Sequence, residues 1–214
     1  MNDLLNKINQ YCENHTSRQL PLLHQLERET HLKTLAPQML SGHLQGQFLG
    51  MLSKIQQPRA ILEIGAFTGY AAICLAQGLP EGGTLHTIEA NPELEYLIRK
   101  YISLAGLDEK IHLHIGDARE VIPALPGPFD MVFIDAGKQD YIQYYDLVID
   151  KVPRGGLIIA DNVLWSGKVT SPAEREGDAD TRLIHQFNEK VQQDPRVENI
   201  LLPLRDGLLI ARKV

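Results

Sequence analysis

The stretch Ile61-Leu62-Glu63-Ile64-Gly65-Ala66-Phe67-Thr68-Gly69-Tyr70 decides how this chain folds. Residues 60–64, apolar apart from Glu63, read as a buried strand. Gly65 and Gly69 permit a sharp turn and close backbone approach. From Tyr70 to Gln77 the pattern is helical. A strand entering a helix through a glycine turn begins a βαβ unit. In open α/β sheets, ligands sit beyond the carboxyl ends of the strands, where this turn lies. The spacing Gly-x-x-x-Gly is neither the Gly-x-Gly-x-x-Gly of dinucleotide dehydrogenases nor a P-loop, which requires Gly-Lys-Ser/Thr. Taken alone, the turn is as readily a plain strand–helix connection as a site for a nucleotide-like ligand.

The rest of the chain repeats the unit. Short apolar runs at 60–64, 83–88, 111–115, 131–134 and 157–160 alternate with helical stretches at 70–77, 92–105, 118–125 and 139–150. That alternation predicts a mostly parallel sheet, and strands so uniformly apolar suit one buried on both faces. The alternation breaks at the end. A helix over 181–193 stops at Asp194-Pro195, and strands at 197–202 and 208–212 are joined by Pro203-Leu204-Arg205-Asp206-Gly207, the signature of an antiparallel hairpin. The polar stretch 170–180 reads as a loop, a candidate lid. Before the sheet, Leu4, Ile8 and Tyr11, and then Leu22, Leu23 and Leu26, recur at helical spacing, which predicts two or three helices. The expected architecture is a doubly wound α/β sheet of seven strands in one domain, 1–214, with N-terminal helices over 1–55 and a core over 58–214.

Composition narrows the function. The chain has 214 residues, 43% hydrophobic and 22% charged, as in ordinary globular proteins. A net charge of −6 and no basic stripe argue against a nucleic-acid partner. Cys12 and Cys74 do not make a disulfide framework, so a reducing, cytoplasmic setting is expected. No signal-peptide pattern opens the chain, and no apolar run nears the ~20 residues that span a bilayer.

Four acidic or amide positions fall at strand ends. Glu89 closes the second strand, where a carboxylate can accept hydrogen bonds from both hydroxyls of a ribose. Glu63 lies inside an apolar strand, where a carboxylate is costly unless paired. It either neutralises a cationic ligand, directly or through backbone and water, or makes a buried structural hydrogen bond. Asp135 ends the fourth strand and Asp161-Asn162 the fifth. Two carboxylates and an amide from short side chains suit a hard cation such as Mg²⁺, although such residues also cap helices. Lys138 follows Asp135 by three positions. Beside a cation its ammonium would be repelled and desolvated, which moves it toward use as a base; a surface lysine opening a helix is the plainer reading. His112 and His114 share a strand face, most simply a solvated one. Trp165 is either core or a pocket wall. Gly-x-Ser-x-Gly, the hydrolase nucleophile elbow, is absent.

At this point the chain resembles the bacterial and plant caffeoyl-CoA O-methyltransferase-like family, relatives of catechol O-methyltransferase, from about Leu35 to the C-terminus. The resemblance is carried by Leu62 to Tyr70, by Phe133-Ile134-Asp135-Ala136, by Gly155-Gly156-Leu157-Ile158, and most specifically by Asp161-Asn162-Val163-Leu164-Trp165-Ser166-Gly167-Lys168-Val169. It implies a Rossmann-like fold and S-adenosylmethionine as methyl donor. Asp135, Asp161 and Asn162 would hold Mg²⁺, or Ca²⁺ or Mn²⁺ in its place. Lys138 matches the family's catalytic lysine, with Asp135 beside it in catalysis and bordering the donor. Glu89 would bind the ribose; Glu63, Gly65 and Ala66 the methionine portion; Asp117 and Ala118 the adenine. Ser41 lies where the N-terminal segment covers the donor, and Met39 and Trp165, with Lys138, border the acceptor. Four positions depart from the pattern. Ala71 replaces a hydroxyl residue that contacts the donor carboxylate, Gly137 replaces a polar residue, His43-Leu44-Gln45 replaces a more acidic run, and Arg205 stands where glycine is frequent.

The reaction so implied is metal-dependent methylation of a hydroxyl on a catechol-like small molecule by a homodimer. A nucleotide-dependent oxidoreductase, a methyltransferase for nucleic acids or amines, and a binding module without catalysis are the alternatives. The glycine spacing, the missing Asn-Pro-Pro-Tyr motif with the missing basic surface, and the intact Asp135, Lys138, Asp161 and Asn162 set speak against them in turn.

Overall fold

The structure, a computed structural model, describes residues 2–214, so Met1 of the expected 1–214 domain lies outside it. Three helices precede the sheet: α1 (Asn2–Asn14), α2 (Pro21–Lys33) and α3 (Gly42–Gln56). There follow β1 (Ala60–Ile64), α4 (Tyr70–Ala76), β2 (Thr84–Glu89), α5 (Glu95–Leu104), β3 (Ile111–Ile115), α6 (Ala118–Ala124), β4 (Met131–Ile134), α7 (Tyr141–Val148) and β5 (Leu157–Asp161). The chain ends with α8 (Pro172–Gly177), α9 (Ala179–Gln193), β6 (Val197–Leu202) and β7 (Leu208–Lys213).

Seven strands form one sheet in the order β3-β2-β1-β4-β5-β7-β6. The pairs among β1 to β5 are parallel, with Leu62 opposite His86 on one side and Val132 on the other. β7 runs antiparallel to both β5 and β6. The order reverses between β1 and β4, because the chain first builds outward through β2 and β3 and then returns. Doubly wound sheets open a crevice at such a reversal, and Gly65 and Asp135 stand at its two lips.

Every residue of β4 and β5 is buried, as an apolar run in a sheet covered on both faces requires. One face packs Leu62, Val132 and Ile158 against Ile122 of α6, Tyr145 and Val148 of α7, and Phe187 of α9. The other packs Ile61, Phe133 and Ile159 against Leu49 of α3, Leu75 of α4 and Ile98 of α5. Truncating a residue so enclosed as Phe133 to alanine costs about 3–5 kcal/mol. The N-terminal helices join this core directly. A Cβ on Gly46 of α3 would come within 2.7 Å of the Tyr70 ring, so glycine lets α3 lie close on α4.

Three expectations change. The 170–180 stretch is not a loop. It contains α8, begun by Pro172 and capped by Ser171, whose hydroxyl accepts the Glu174 N–H at 3.4 Å. Ser171-Pro172-Ala173-Glu174 is a capping sequence whose polarity hid the helix. The helix expected over 139–150 is α7 between two short 3₁₀ turns, Lys138–Asp140 and Ile149–Lys151. The one expected over 92–105 opens with a 3₁₀ turn, Pro92–Leu94, capped by Asn91. Among the described residues no helix is long and apolar enough to cross a membrane.

Candidate active site

A cavity of about 1130 Å³ opens over the carboxyl ends of β1, β2, β4 and β5. Gly65, Glu89, Asp117, Ala118, Asp135, Lys138, Asp161, Asn162, Trp165 and Met39 line it. Ten positions singled out along the sequence therefore face one space.

At the β1 end the chain turns at Gly65, with φ +96. The Gly65 and Ala66 N–H groups donate to the Ile88 carbonyl at 2.9 and 3.1 Å, and the Asp135 N–H donates to the Ile64 carbonyl at 2.8 Å. A Cβ on Gly65 would lie 1.9 Å from the Asp135 carbonyl oxygen. Glycine here lets the two lips of the crevice touch. Glu89 is fixed from both sides. One carboxylate oxygen accepts the Phe67 N–H at 2.7 Å and the other the Asn91 N–H at 2.8 Å. Burial raises its pKa against those bonds. Each oxygen keeps a lone pair for a hydroxyl donor. Asp117 caps α6 and pairs with Arg119, which reaches Asp140 at 3.3 Å; that pairing holds the Asp117 carboxyl below the ordinary range.

At the β4–β5 end, Lys138 Nζ donates to Tyr141 Oη at 2.6 Å and to Asp135 Oδ1 at 3.2 Å. The Tyr141 hydroxyl donates in turn to the Asp161 carbonyl at 3.0 Å. Burial pushes the Asp135 carboxyl up, Lys138 opposes that, and the Asp161 charge adds to it. Asp161 is buried; its Oδ2 accepts from Gln45 Nε2 and its Oδ1 from the Asn162 N–H, both at 2.7 Å. Asn162 takes a left-handed backbone, φ 56, and Trp165 and Ser166 do so at φ 48 and 55. Such strain in residues with side chains concentrates at functional sites.

Four positions lie behind the cavity wall. Ala66 and Ala71 are buried. Ser41 is buried too, and its carbonyl accepts from Arg205. The Glu63 carboxyl is wholly buried and takes the Thr87 hydroxyl at 2.5 Å. Of the two readings of Glu63, this geometry is the buried hydrogen bond, and its side chain has no face on the cavity. Burial raises its pKa to about 8, partly offset by Thr87. Among the described residues no group of three or more His, Cys, Asp or Glu side chains is arranged to hold a metal. The candidate ligand set contains only two such residues, Asp135 and Asp161, with the Asn162 amide beside them.

Sequence reading missed Tyr141 and met Gln45 and Arg205 only as departures from the family pattern, giving neither a task. Tyr141 had a signal, one helical turn after Lys138. Gln45 had one also. It is a polar residue on the buried stripe of α3 that includes Gly46, Leu49, Gly50 and Ser53.

A seven-stranded sheet with a reversed C-terminal hairpin and its cavity at the crevice is the architecture of the class I methyltransferases. The chain belongs to the O-methyltransferase family, whose model matches residues 13–214, and is an O-methyltransferase. It is 36% identical over 180 residues to caffeoyl-CoA O-methyltransferase 2 of Populus trichocarpa, covering 79% of this chain and 73% of that one. It is equally identical to caffeoyl-CoA O-methyltransferase of Petroselinum crispum, over 79% and 75%. Among solved structures it is similar to an O-methyltransferase from Bacillus cereus in complex with SAH (TM-score 0.88, 30% identity, 97% of both chains). It is similar also to TomG from Streptomyces achromogenes in complex with SAM (TM-score 0.88, 29% identity, 97% and 96%).

Proposed function

We propose that the chain moves a methyl group from S-adenosylmethionine to a hydroxyl of a catechol-like small molecule, with a divalent cation held by Asp135, Asp161 and Asn162. The carrying observation is that Lys138 and these three residues share one cavity with Glu89 and Gly65. Two carboxylates and an amide are hard oxygen donors, the chemistry Mg²⁺, Mn²⁺ or Ca²⁺ takes. A cation bound there would lower the pKa of an acceptor hydroxyl and fix its direction. The donor S-adenosylmethionine and its demethylated product S-adenosylhomocysteine, named for the two solved structures, suit the other half of the cavity.

The chain's own residues then divide the work. Glu89, clamped by two backbone N–H groups, receives the ribose hydroxyls. The Gly65 turn lets the methionine portion approach the backbone. Lys138 takes or shares the proton of the acceptor hydroxyl, a step that requires its amine in the neutral form. The acceptor oxygen attacks the methyl carbon in line; the new O–C bond forms as the S–C bond breaks, and the electron pair leaves with sulfur. Holding oxygen and methyl ~3 Å apart supplies much of the acceleration. Positive and negative charge cancel in this step, so the partly enclosed site favours it. Met39 and Trp165 wall the acceptor. A homodimer acting on small phenols, without nucleic-acid or membrane partner, is part of the same proposal.

The test is methyl transfer from labelled S-adenosylmethionine to a panel of catechols, flavonoids and acyl-CoA phenols, with Mg²⁺ and with EDTA. Activity on vicinal diols that chelation abolishes and Mg²⁺ restores is the expected result. Full activity in EDTA, or in Asp161→Ala, overturns the cation's part.

A further inference from the structure

We propose that Gln45 is a positioning residue for the cation site, acting through Asp161. This rests on the cation reading above. Gln45 is wholly buried and comes from α3, among the N-terminal helices, whereas Asp161 ends β5. Its Nε2 donates to Asp161 Oδ2 at 2.7 Å. The Asn162 N–H donates to Oδ1 at the same distance. One N–H on each oxygen fixes the plane of the carboxylate, and the remaining lone pairs are left for a ligand.

The other end of the Gln45 amide shows what the residue is for. Gln45 Oε1 is buried and accepts no hydrogen bond. An unsatisfied buried carbonyl is a cost that an aliphatic residue at this place would avoid. Turning the amide over would set a carbonyl oxygen against the Asp161 carboxylate. The structure keeps the N–H on Asp161 and leaves the carbonyl without a partner. Neighbouring buried positions of α3 are filled by Gly46, Leu49, Gly50 and Ser53, so packing alone does not call for a glutamine. The amide is also neutral. A lysine or arginine there would aim the carboxylate but cancel the charge that attracts a cation; glutamine aims it and leaves the charge intact. Partners that orient ligating carboxylates commonly set metal affinity in this way.

The experiment is a titration of the intact protein with Mn²⁺, followed by electron paramagnetic resonance, alongside calorimetric titration with S-adenosylhomocysteine. Wild type is compared with Gln45→Met and Gln45→Leu, which keep bulk and lose the N–H. The expected result is Mn²⁺ affinity lowered 10–100-fold in both variants, with S-adenosylhomocysteine affinity unchanged. Unchanged Mn²⁺ affinity overturns the proposal. So does a parallel loss of both affinities in both variants, which would make Gln45 a packing residue. Wild type that binds no Mn²⁺ would instead overturn the cation reading itself, and the role of Gln45 with it.

Discussion

Lys138 Nζ lies 2.6 Å from Tyr141 Oη, closer than to its acidic neighbour Asp135. The phenol cannot serve as a base, because burial raises its pKa far above the ordinary value. It accepts from Lys138 and passes its own hydrogen to the Asp161 carbonyl, so it holds the ammonium between the ends of β4 and β5. In Tyr141→Phe the ring stays and the hydroxyl goes. A hydrogen bond to a charged group contributes about 1.5–3 kcal/mol, so kcat is expected to fall roughly tenfold or more. The KM for the methyl donor should stay, because Glu89 and Gly65 are untouched. Steady-state kinetics check this; an unaltered kcat would mean that Asp135 alone places Lys138.

Glu63 gives the protein a pH-dependent stability remote from turnover. Burial raises its pKa from 4.5 to about 8. A carboxyl with a raised folded pKa binds its proton more tightly when folded. Its contribution is therefore fully present below pH 4.5 and is lost as the pH climbs through 8. Each pKa unit is worth about 1.4 kcal/mol, so the loss across that window is on the order of 5 kcal/mol. Glu63→Gln does not titrate. Its stability relative to wild type is expected to rise between pH 5 and pH 9 in urea unfolding. A difference that is flat in pH would show the carboxyl to be ionised without penalty.

These two residues show what the sequence made legible. Strand ends were readable, because apolar runs stop abruptly at Glu89, Asp135 and Asp161, and the parallel order makes all of them face one edge. Glu63 was readable as a costly buried carboxyl, but its partner was not. Thr87 meets it from the neighbouring strand, in the register Glu63 opposite Thr87, and register is a property of pairing. Gln45 and Asp161 lie 116 residues apart, and no local period connects them. The helix at Pro172–Gly177 was missed because it carries no large apolar residue to set a helical period, so only its cap announced it.

The turn at Gly65 predicts a severe effect from a small change. In Gly65→Ala the methyl would meet the Asp135 carbonyl oxygen at 1.9 Å, on a backbone with φ +96. Neither lip of the crevice can yield, since both are strand ends bonded to each other. A destabilisation of about 3 kcal/mol is expected from overpacking and backbone strain together, with donor affinity reduced in the protein that still folds. Thermal melts with and without S-adenosylhomocysteine measure both; a variant that melts like wild type and is equally stabilised by the ligand would contradict the close approach.

Arg205 separates backbone conformation from side-chain contact. It sits in the β6–β7 connection at φ 51, a conformation glycine takes without strain, which is why glycine would be expected there. Its guanidinium reaches across to the Leu40 carbonyl at 3.0 Å and to the Ser41 carbonyl. That contact ties the segment bearing Met39 to the C-terminal hairpin, over the cavity that Arg205 also lines. Arg205→Gly relieves the strain and removes the tie, whereas Arg205→Ala removes the tie and keeps the strain. The glycine variant is expected to melt near wild type and the alanine variant to be about 1 kcal/mol less stable than the glycine variant. Both should show a several-fold higher donor KM and faster proteolysis around residues 34–41, where the cover is no longer held. Unfolding curves rank the stabilities, and limited proteolysis with and without S-adenosylhomocysteine reads the cover. Equal proteolysis of wild type and both variants would mean that the segment is held by Leu40 and its packing alone, and that Arg205 contributes charge rather than a tie.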